Sequence, residues 1–209
     1  MGLLFAFFPD SFFSNSLFVP PSTYDAERNM PDQSGKVVIV TGANTGVGFE
    51  MAKYLVLKNA ASTPAAKGEA IWLKLDLADL DSVKEAAEEF KAKEKRLDLL
   101  FNNAGVMIPP VDQPTKQGSD LQWGINVVRH YLFSILLLPS LRASFTATGT
   151  PPRIVDTSSS GNIFAPGPTG FIPDSTRAGP NAMSSSNSGA RAQAPGGSCT
   201  GKANSATSG

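Results

Sequence analysis

Short apolar runs alternate with stretches of helical periodicity along the middle of this 209-residue chain. Runs of about five residues rich in Val, Ile, Leu and Phe are typical of strands that are buried on both faces of a sheet. We therefore predict strands at Lys36–Thr41, Ile71–Leu75, Leu97–Phe101 and Arg153–Thr157. Because helical patterns separate these runs, the sequence predicts an α/β domain with a parallel sheet and right-handed crossovers.

Apolar residues recur every three or four positions in two segments, one after each of the first two strand candidates. The first predicted helix begins after the run Lys36–Thr41 and ends near Leu57. The second begins near Asp81 or Ser82, with Glu85 at capping-box spacing from Ser82. Its inward face is predicted to consist of Val83, Ala86, Ala87 and Phe90.

A third predicted helix is longer and runs from about Gly118 to Leu138. Pro139 lies directly after it, and we expect this residue to stop or kink the helix because proline lacks a backbone N–H. The predicted apolar stripe consists of Leu121, Ile125, Val128, Leu132, Ile135 and Leu138.

Three glycines follow the first predicted strand and lead into the first predicted helix. They are Gly42, Gly46 and Gly48 in the octapeptide Thr-Gly-Ala-Asn-Thr-Gly-Val-Gly, which also contains Asn44 and Thr45. A strand, a glycine turn and a helix in this order bring a pyrophosphate close to the free N–H groups of the helix N-terminus. This segment therefore predicts a site for a dinucleotide cofactor.

The glycine pattern, together with Asn102-Asn103-Ala104-Gly105, resembles the short-chain dehydrogenases/reductases. The resemblance covers roughly Phe8 to Met183 and is strongest to a fungal subgroup related to retinol-dehydrogenase-like enzymes. It implies a Rossmann-like doubly wound parallel sheet that binds NAD or NADP. It also implies hydride transfer to or from a small-molecule carbonyl or alcohol, in an enzyme that in the family forms homo-oligomers.

The same resemblance assigns roles to individual residues. The cofactor-binding set that it implies is Gly42, Asn44, Thr45, Gly46, Gly48, Asp76, Asn102, Ala104 and Gly105. Asp76 would meet the adenine ring, although a helix-start cap is the alternative for this residue. Asn126 matches the asparagine of a proton relay, with a solvated helix residue as the alternative. Ser159 matches the serine that positions the substrate oxygen; a polar strand end and the neighbouring Ser158 are its alternatives.

The chain departs from the family pattern in three places. No strand candidate lies between Leu57 and Ile71, so the second strand and helix of the family are missing. That strand carries the residue that selects between NAD and NADP, and preference is therefore unreadable, with NADP slightly favoured by the family. The Tyr-x-x-x-Lys acid/base is also absent, since Tyr131 is the last tyrosine, and the C-terminal strands are missing. We expect this chain to be nearly inactive; a non-catalytic cofactor-binding or interaction protein is the alternative.

Composition divides the chain into three predicted parts: a terminal arm at 1–34, a partial cofactor-binding domain at 35–183 and a tail at 184–209. The tail contains almost no large apolar residue, so we expect it to be disordered. Its codons from Cys199 onward are also compatible with a Tyr-x-x-x-Lys segment in another reading frame. The arm is apolar but interrupted, and we expect a loose cover of the domain or, alternatively, a weak membrane-surface contact of a cytoplasmic protein.

Charge and rare residues exclude several classes of function. Lys plus Arg and Asp plus Glu number 18 each, so we expect no nucleic-acid partner. The single cysteine, Cys199, excludes an internal disulfide, and no metal site is expected from one cysteine and one histidine. The histidine, His130, is predicted to be a packed or half-exposed helix residue.

Overall fold

A computed structural model describes residues 23–60, 68–110, 113–159 and 176 of the chain. The first elements are a short helix α1 (Ala26–Asn29), strand β1 (Val38–Val40) and helix α2 (Gly46–Leu57). Helix α3 (Leu80–Lys93) and strand β2 (Leu99–Asn102) follow. The last elements are helix α4 (Leu121–Trp123), a π-helix (Gly124–Arg129), helix α5 (His130–Thr148) and strand β3 (Arg153–Asp156). The predicted tail at 184–209 and the first 22 residues of the predicted arm fall outside the described residues.

The three strands form one parallel sheet in the order β1-β2-β3. Val38 pairs with Leu99, and Leu99 pairs in turn with Arg153. Helices α3 and α5 pack against each other, and they cover the sheet with a core in which Leu97, Leu100, Phe133 and Leu137 are fully buried. The predicted parallel α/β fold is therefore confirmed, and three of the four predicted strands form within one or two residues of their predicted ends.

The predicted strand at Ile71–Leu75 was wrong. This segment belongs to no strand, and Ile71 and Trp72 are 58% and 74% exposed. A short apolar run becomes a strand only when it has a partner to pair with, and the strand that would join it to β1 is missing from the sequence. The segment does not pair with β1 either, because a cleft lined by residues of both lies between them.

Helix α3 begins one or two residues earlier than predicted, and its cap differs. Asp79 is the N-cap, and its side chain accepts a hydrogen bond from the N–H of Asp81. The hydroxyl of Ser82 instead accepts a hydrogen bond from the N–H of Asp76, so the proposed capping box does not form. The predicted inward face is confirmed, since Val83, Ala86, Ala87 and Phe90 are all buried.

Helix α5 continues through Pro139 to Thr148, so of the two predicted effects, a stop or a kink, the stop does not occur. Pro139 and Ile135, the residue four positions earlier, are both exposed, so water can satisfy the carbonyl that proline leaves without an N–H partner. The predicted stripe is confirmed in part, since Ile125, Leu132 and Leu138 are partly buried and pack against the core. Phe133, Leu137 and Leu141 face the core, whereas Ile135 is 43% exposed.

Within the described residues, the helical stretch Leu121–Thr148 is long and apolar enough to cross a membrane, with a mean hydropathy of 1.3. Its buried side packs against α3 and the sheet. Helices at the centre of an α/β core have this same composition, and we interpret it as a core helix.

Candidate cofactor site

The turn between β1 and α2 requires glycine at two positions for different reasons. Gly42 has a φ of +67°, and a Cβ there would lie 2.9 Å from the Cα of Ala104. At Gly48, a Cβ would lie 2.4 Å from the carbonyl oxygen of Gly42. Any side chain at Gly48 would therefore push the start of α2 away from the turn. The close approach of helix and turn explains why the spacing of these glycines is informative.

Thr41 connects this turn to the end of β2. It is 3% exposed, and its hydroxyl oxygen accepts hydrogen bonds of 2.9 Å from the N–H groups of Asn103 and Ala104. The side-chain amide of Asn103 donates in return to the carbonyl of Thr41 at 3.1 Å. These contacts hold the Asn102–Gly105 segment against the glycine turn, and they depend on a threonine hydroxyl rather than on a glycine.

His130 completes the hydrogen bonds of Thr41 from the side of α5. The Thr41 Oγ1 and His130 Nε2 atoms are 2.9 Å apart. Because the oxygen already accepts two N–H groups, its own proton is assigned to Nε2, and the imidazole is therefore neutral with its proton on Nδ1. Burial lowers the pKa of His130 below its usual value, partly offset by hydrogen bonds to the backbone of Asn126 and Ile125. The prediction of a packed histidine is confirmed, since it is 4% exposed.

Asn126 lies in the π-helix and binds the loop that follows β2. Its amide donates to the carbonyl of Val106 at 2.9 Å and accepts from the N–H of the same residue at 2.9 Å. The side chain thus has defined protein partners, which argues against the alternative of a merely solvated residue. The wide π-turn places Asn126 and His130 one turn apart, so a single helical segment contacts both the loop and Thr41.

The N-terminus of α2 has the chemistry that a pyrophosphate requires. Thr45 is the N-cap but makes no side-chain cap hydrogen bond. Among the described residues, the N–H groups of Gly46, Val47 and Gly48 have no backbone acceptor. These donors lie at the positive end of the helix dipole, where anions are stabilised. The glycine cradle and the uncapped helix start therefore fit a dinucleotide phosphate.

A cleft of about 640 Å³ opens beside this turn. Five of the residues expected to contact a cofactor line it: Gly42, Asn44, Asp76, Ala104 and Gly105. Asp76 lies at the cleft, and its Oδ1 accepts a hydrogen bond from the N–H of Ala78 in the turn that precedes α3. The helix cap is Asp79, so Asp76 does not have the alternative role of capping α3.

The remaining predicted residues lie at the carboxyl ends of β2 and β3. Asn102 is buried and donates to the hydroxyl of Ser134 at 3.0 Å and to the carboxylate of Asp156 at 2.8 Å. Ser159 is exposed and follows β3 by three residues, at the same edge of the parallel sheet as the glycine turn. Neither Asn102, Asn126 nor Ser159 lines the cleft itself.

Sequence reasoning missed the roles of Thr41 and His130. Both residues carry a local signal, because Thr41 directly precedes Gly42 and His130 follows Asn126 by four positions. The spacing of four positions places the side chains of Asn126 and His130 on one face of an ordinary helix. Their contact joins residues 89 positions apart, and neither spacing by itself indicates a hydrogen bond of that kind.

A family model described as short chain dehydrogenase matches residues 36–186. The chain belongs to this family. A short-chain dehydrogenase/reductase from Armillaria gallica is 48% identical over 166 residues, covering 71% of this chain and 53% of the relative. Mouse retinol dehydrogenase 12 is 38% identical over 148 residues, covering 62% of this chain and 45% of that protein. The predicted family and its fungal and retinol-dehydrogenase-like relatives are thus confirmed, and the chain spans about half the length of these relatives.

Solved structures of short-chain dehydrogenases share the fold. An NADH-dependent reductase complexed with NAD is 21% identical and covers 73% of this chain and 68% of that chain, with a TM-score of 0.53. The RhlG protein of Pseudomonas aeruginosa in complex with NADP is 24% identical, covers 73% and 63% of the two chains and has a TM-score of 0.53. The Rossmann-like arrangement is therefore confirmed for the sheet that this chain forms.

Proposed function

We propose that this chain forms the cofactor-binding part of an NAD(P)-dependent oxidoreductase acting on a small carbonyl or alcohol. The observation that carries the proposal is the glycine cradle at Gly42–Gly48, with its uncapped helix start beside the cleft. The backbone N–H groups at the start of α2 would hold the pyrophosphate, and Asp76 would approach the adenine end. A bound nicotinamide would supply the hydride to a carbonyl or accept it from an alcohol.

The proposed chemistry at the substrate end rests on two residues. Ser159 would orient the substrate oxygen by hydrogen bonding, and Asn126 would maintain the relay side of the site by holding the loop at Val106. The sequence contains no Tyr-x-x-x-Lys segment after Ser159; the one that it does contain, Tyr54 to Lys58, lies at the end of helix α2. Proton transfer to the substrate oxygen needs a positioned acid or base, so we propose that turnover by this chain is very low.

Titration of the purified chain with NADH and NADPH, followed by fluorescence, tests cofactor binding. We expect a Kd weaker than ~1 µM, because the strand that contacts the ribose and the family lysine are missing. The informative comparison is Gly42→Ala with Gly149→Ala. Both glycines have a φ of +67°, but only Gly42 has backbone atoms where a Cβ would be.

The two substitutions therefore impose the same backbone strain, and only one of them changes the cradle. We expect Gly42→Ala to weaken binding at least ~10-fold relative to Gly149→Ala, which corresponds to about 1.4 kcal/mol. Equal affinity of the two variants would refute the proposed site.

The second candidate function is a non-catalytic cofactor-binding or interaction protein. The missing acid/base segment favours it. A cDNA sequence separates the two candidates, because a transcript that encodes the tyrosine segment in frame supports the enzyme. Detection of a stable cellular protein that ends in the present tail supports the binding protein.

A further inference from the structure

One edge of β1 has polar backbone groups without partners. Thr41 donates its N–H to Phe101, and the carbonyl of Val37 accepts from Leu99, so the groups of these two residues point toward β2. The backbone N–H and C=O groups of successive residues point to alternate sides of a strand, so those of Ile39 also point toward β2. The N–H and C=O groups of Val38 and Val40 consequently face the other side. No described residue bonds to them.

That side of β1 borders the cleft rather than open solvent. Below the glycine turn the cleft is lined mainly by apolar side chains, among them Val38, Val40, Leu55, Leu73, Leu75 and Phe90. An unpaired strand edge in an apolar cleft can bind an extended segment, because such a segment satisfies the backbone groups and buries the apolar lining together. The open edge of β1 is therefore a docking position for a strand.

The chain before β1 passes the lower end of this cleft. The ammonium group of Lys58 donates to the carbonyl of Glu27 at 2.5 Å, and the N–H of Gln33 donates to the carbonyl of Lys58 at 2.6 Å. Asn59 also donates to Asp32 at 2.7 Å. These bonds attach residues 27–33 to the end of α2, next to Ala60, which lines the cleft.

The first 22 residues lie outside the described part of the chain and join it near this point. They contain the run Leu3–Phe8, which is apolar at every position, as is typical of a strand covered on both faces. Residues 9–22 could span roughly 45 Å when extended, compared with roughly 10 Å for the length of β1. The later apolar residues of the arm are separated by Ser14, Asn15 and Ser16.

We propose that Leu3–Phe8 docks in this cleft as a strand and pairs with Val38 and Val40. The arm thus occupies the position beside β1 for which the described residues contain no other strand. This proposal concerns the lower part of the cleft and does not depend on whether a dinucleotide binds at the glycine turn.

Amide hydrogen exchange of the full chain, resolved by NMR, tests the pairing. Ile39 is the internal reference, because its N–H points toward β2 whatever covers the other edge. With the arm docked, Val38 and Val40 exchange as slowly as Ile39. In the double variant Phe5→Asp, Phe7→Asp, we expect Val38 and Val40 to exchange at least ~100-fold faster while Ile39 is unchanged.

The matched control is Phe12→Asp, Phe13→Asp, which adds the same charge to the arm outside the proposed strand and leaves all three amides protected. Fast exchange of Val38 and Val40 in the intact chain would overturn the proposal, and so would protection that survives the Phe5 and Phe7 substitutions. Protection that falls on dilution would indicate a second copy at the edge instead. If the double variant does not fold, NOE contacts between Leu3–Phe8 and the methyl groups of Val38 or Val40 in the intact chain decide the question.

Discussion

Replacing His130 tests how far the cofactor turn depends on the core helix. His130 is the only histidine of the chain and is buried against Thr41. The variant His130→Ala removes the acceptor of the Thr41 proton, whose nearest remaining acceptor is the carbonyl of Phe101 at 3.4 Å. An unsatisfied buried hydroxyl costs about 1–3 kcal/mol. Together with the cavity left by the ring, we expect a loss of about 2–4 kcal/mol in the free energy of unfolding.

The pH dependence gives a sharper test than the loss of stability. Burial lowers the pKa of His130 in the folded chain, so below pH ~6.5 the unfolded chain binds a proton that the folded chain does not. Stability contributed by the neutral histidine is therefore complete above pH ~6.5 and is lost as the pH falls below it, with a slope of at most about 1.4 kcal/mol per pH unit. The variant His130→Gln offers Thr41 an acceptor but does not titrate, and we expect it to abolish this slope.

Urea unfolding between pH 5 and 7.5, followed by tryptophan fluorescence, measures the effect. Burial raises the pKa of Glu94. Because its carboxylate becomes destabilising as the pH rises, Glu94 gives the free energy of unfolding a slope against pH of opposite sign to that of His130. Asp79, whose pKa is lowered to about 2 by Lys116, contributes only below the usual carboxyl range of about 4. Identical pH profiles for the wild type and His130→Gln would refute a buried neutral histidine.

Two further substitutions address the same helix. In Asn126→Asp the amide that donates to Val106 is lost and a carboxylate faces its carbonyl. Because this hydrogen bond is exposed, we expect a loss of about 0.5–1.5 kcal/mol and faster proteolysis of the loop 103–110; Asn126→Ser, which keeps a donor, should lie between this variant and wild type. Arg129 is 1% exposed, its Nε has no partner and burial lowers its pKa. Arg129→Met should therefore leave stability within about 1 kcal/mol or raise it, as measured by urea unfolding, and a loss above about 3 kcal/mol would contradict this.

The strands that the sequence predicted correctly are those whose apolar runs find a partner. Three runs pair with one another, and each is flanked by a predicted helix or turn: Val38–Val40, Leu99–Asn102 and Arg153–Asp156. The run Ile71–Leu75 is also mainly apolar, but it pairs with none of the described strands. Pairing is a non-local property, so periodicity could identify this run but could not establish that a neighbour exists.

Helix α5 shows a second limit of the pattern. Proline leaves the carbonyl four residues earlier without its N–H partner, and the helix stops there when that carbonyl is buried. The sequence alone does not show whether Pro139 lies on the buried or on the exposed face. The π-helix at Gly124–Arg129 changes the phase of the residues that follow it. Arg129 occupies the inner side of this turn against Gly124 and donates to Thr115. The buried face of α5 therefore depends on a contact with a loop more than ten residues away.

The residues of the candidate site are a prediction from their motif, whereas the hydrogen bonds that connect them could not be predicted from it. Thr41 is held by Asn103 and Ala104, which directly follow β2, and by His130 from α5. All of these partners lie on the β2 side of β1. The missing second strand would lie on the other side, where Val38 and Val40 face the cleft. Thr41 therefore keeps these contacts without that strand, and the proposed phosphate cradle does not depend on the segment that in the family distinguishes NAD from NADP.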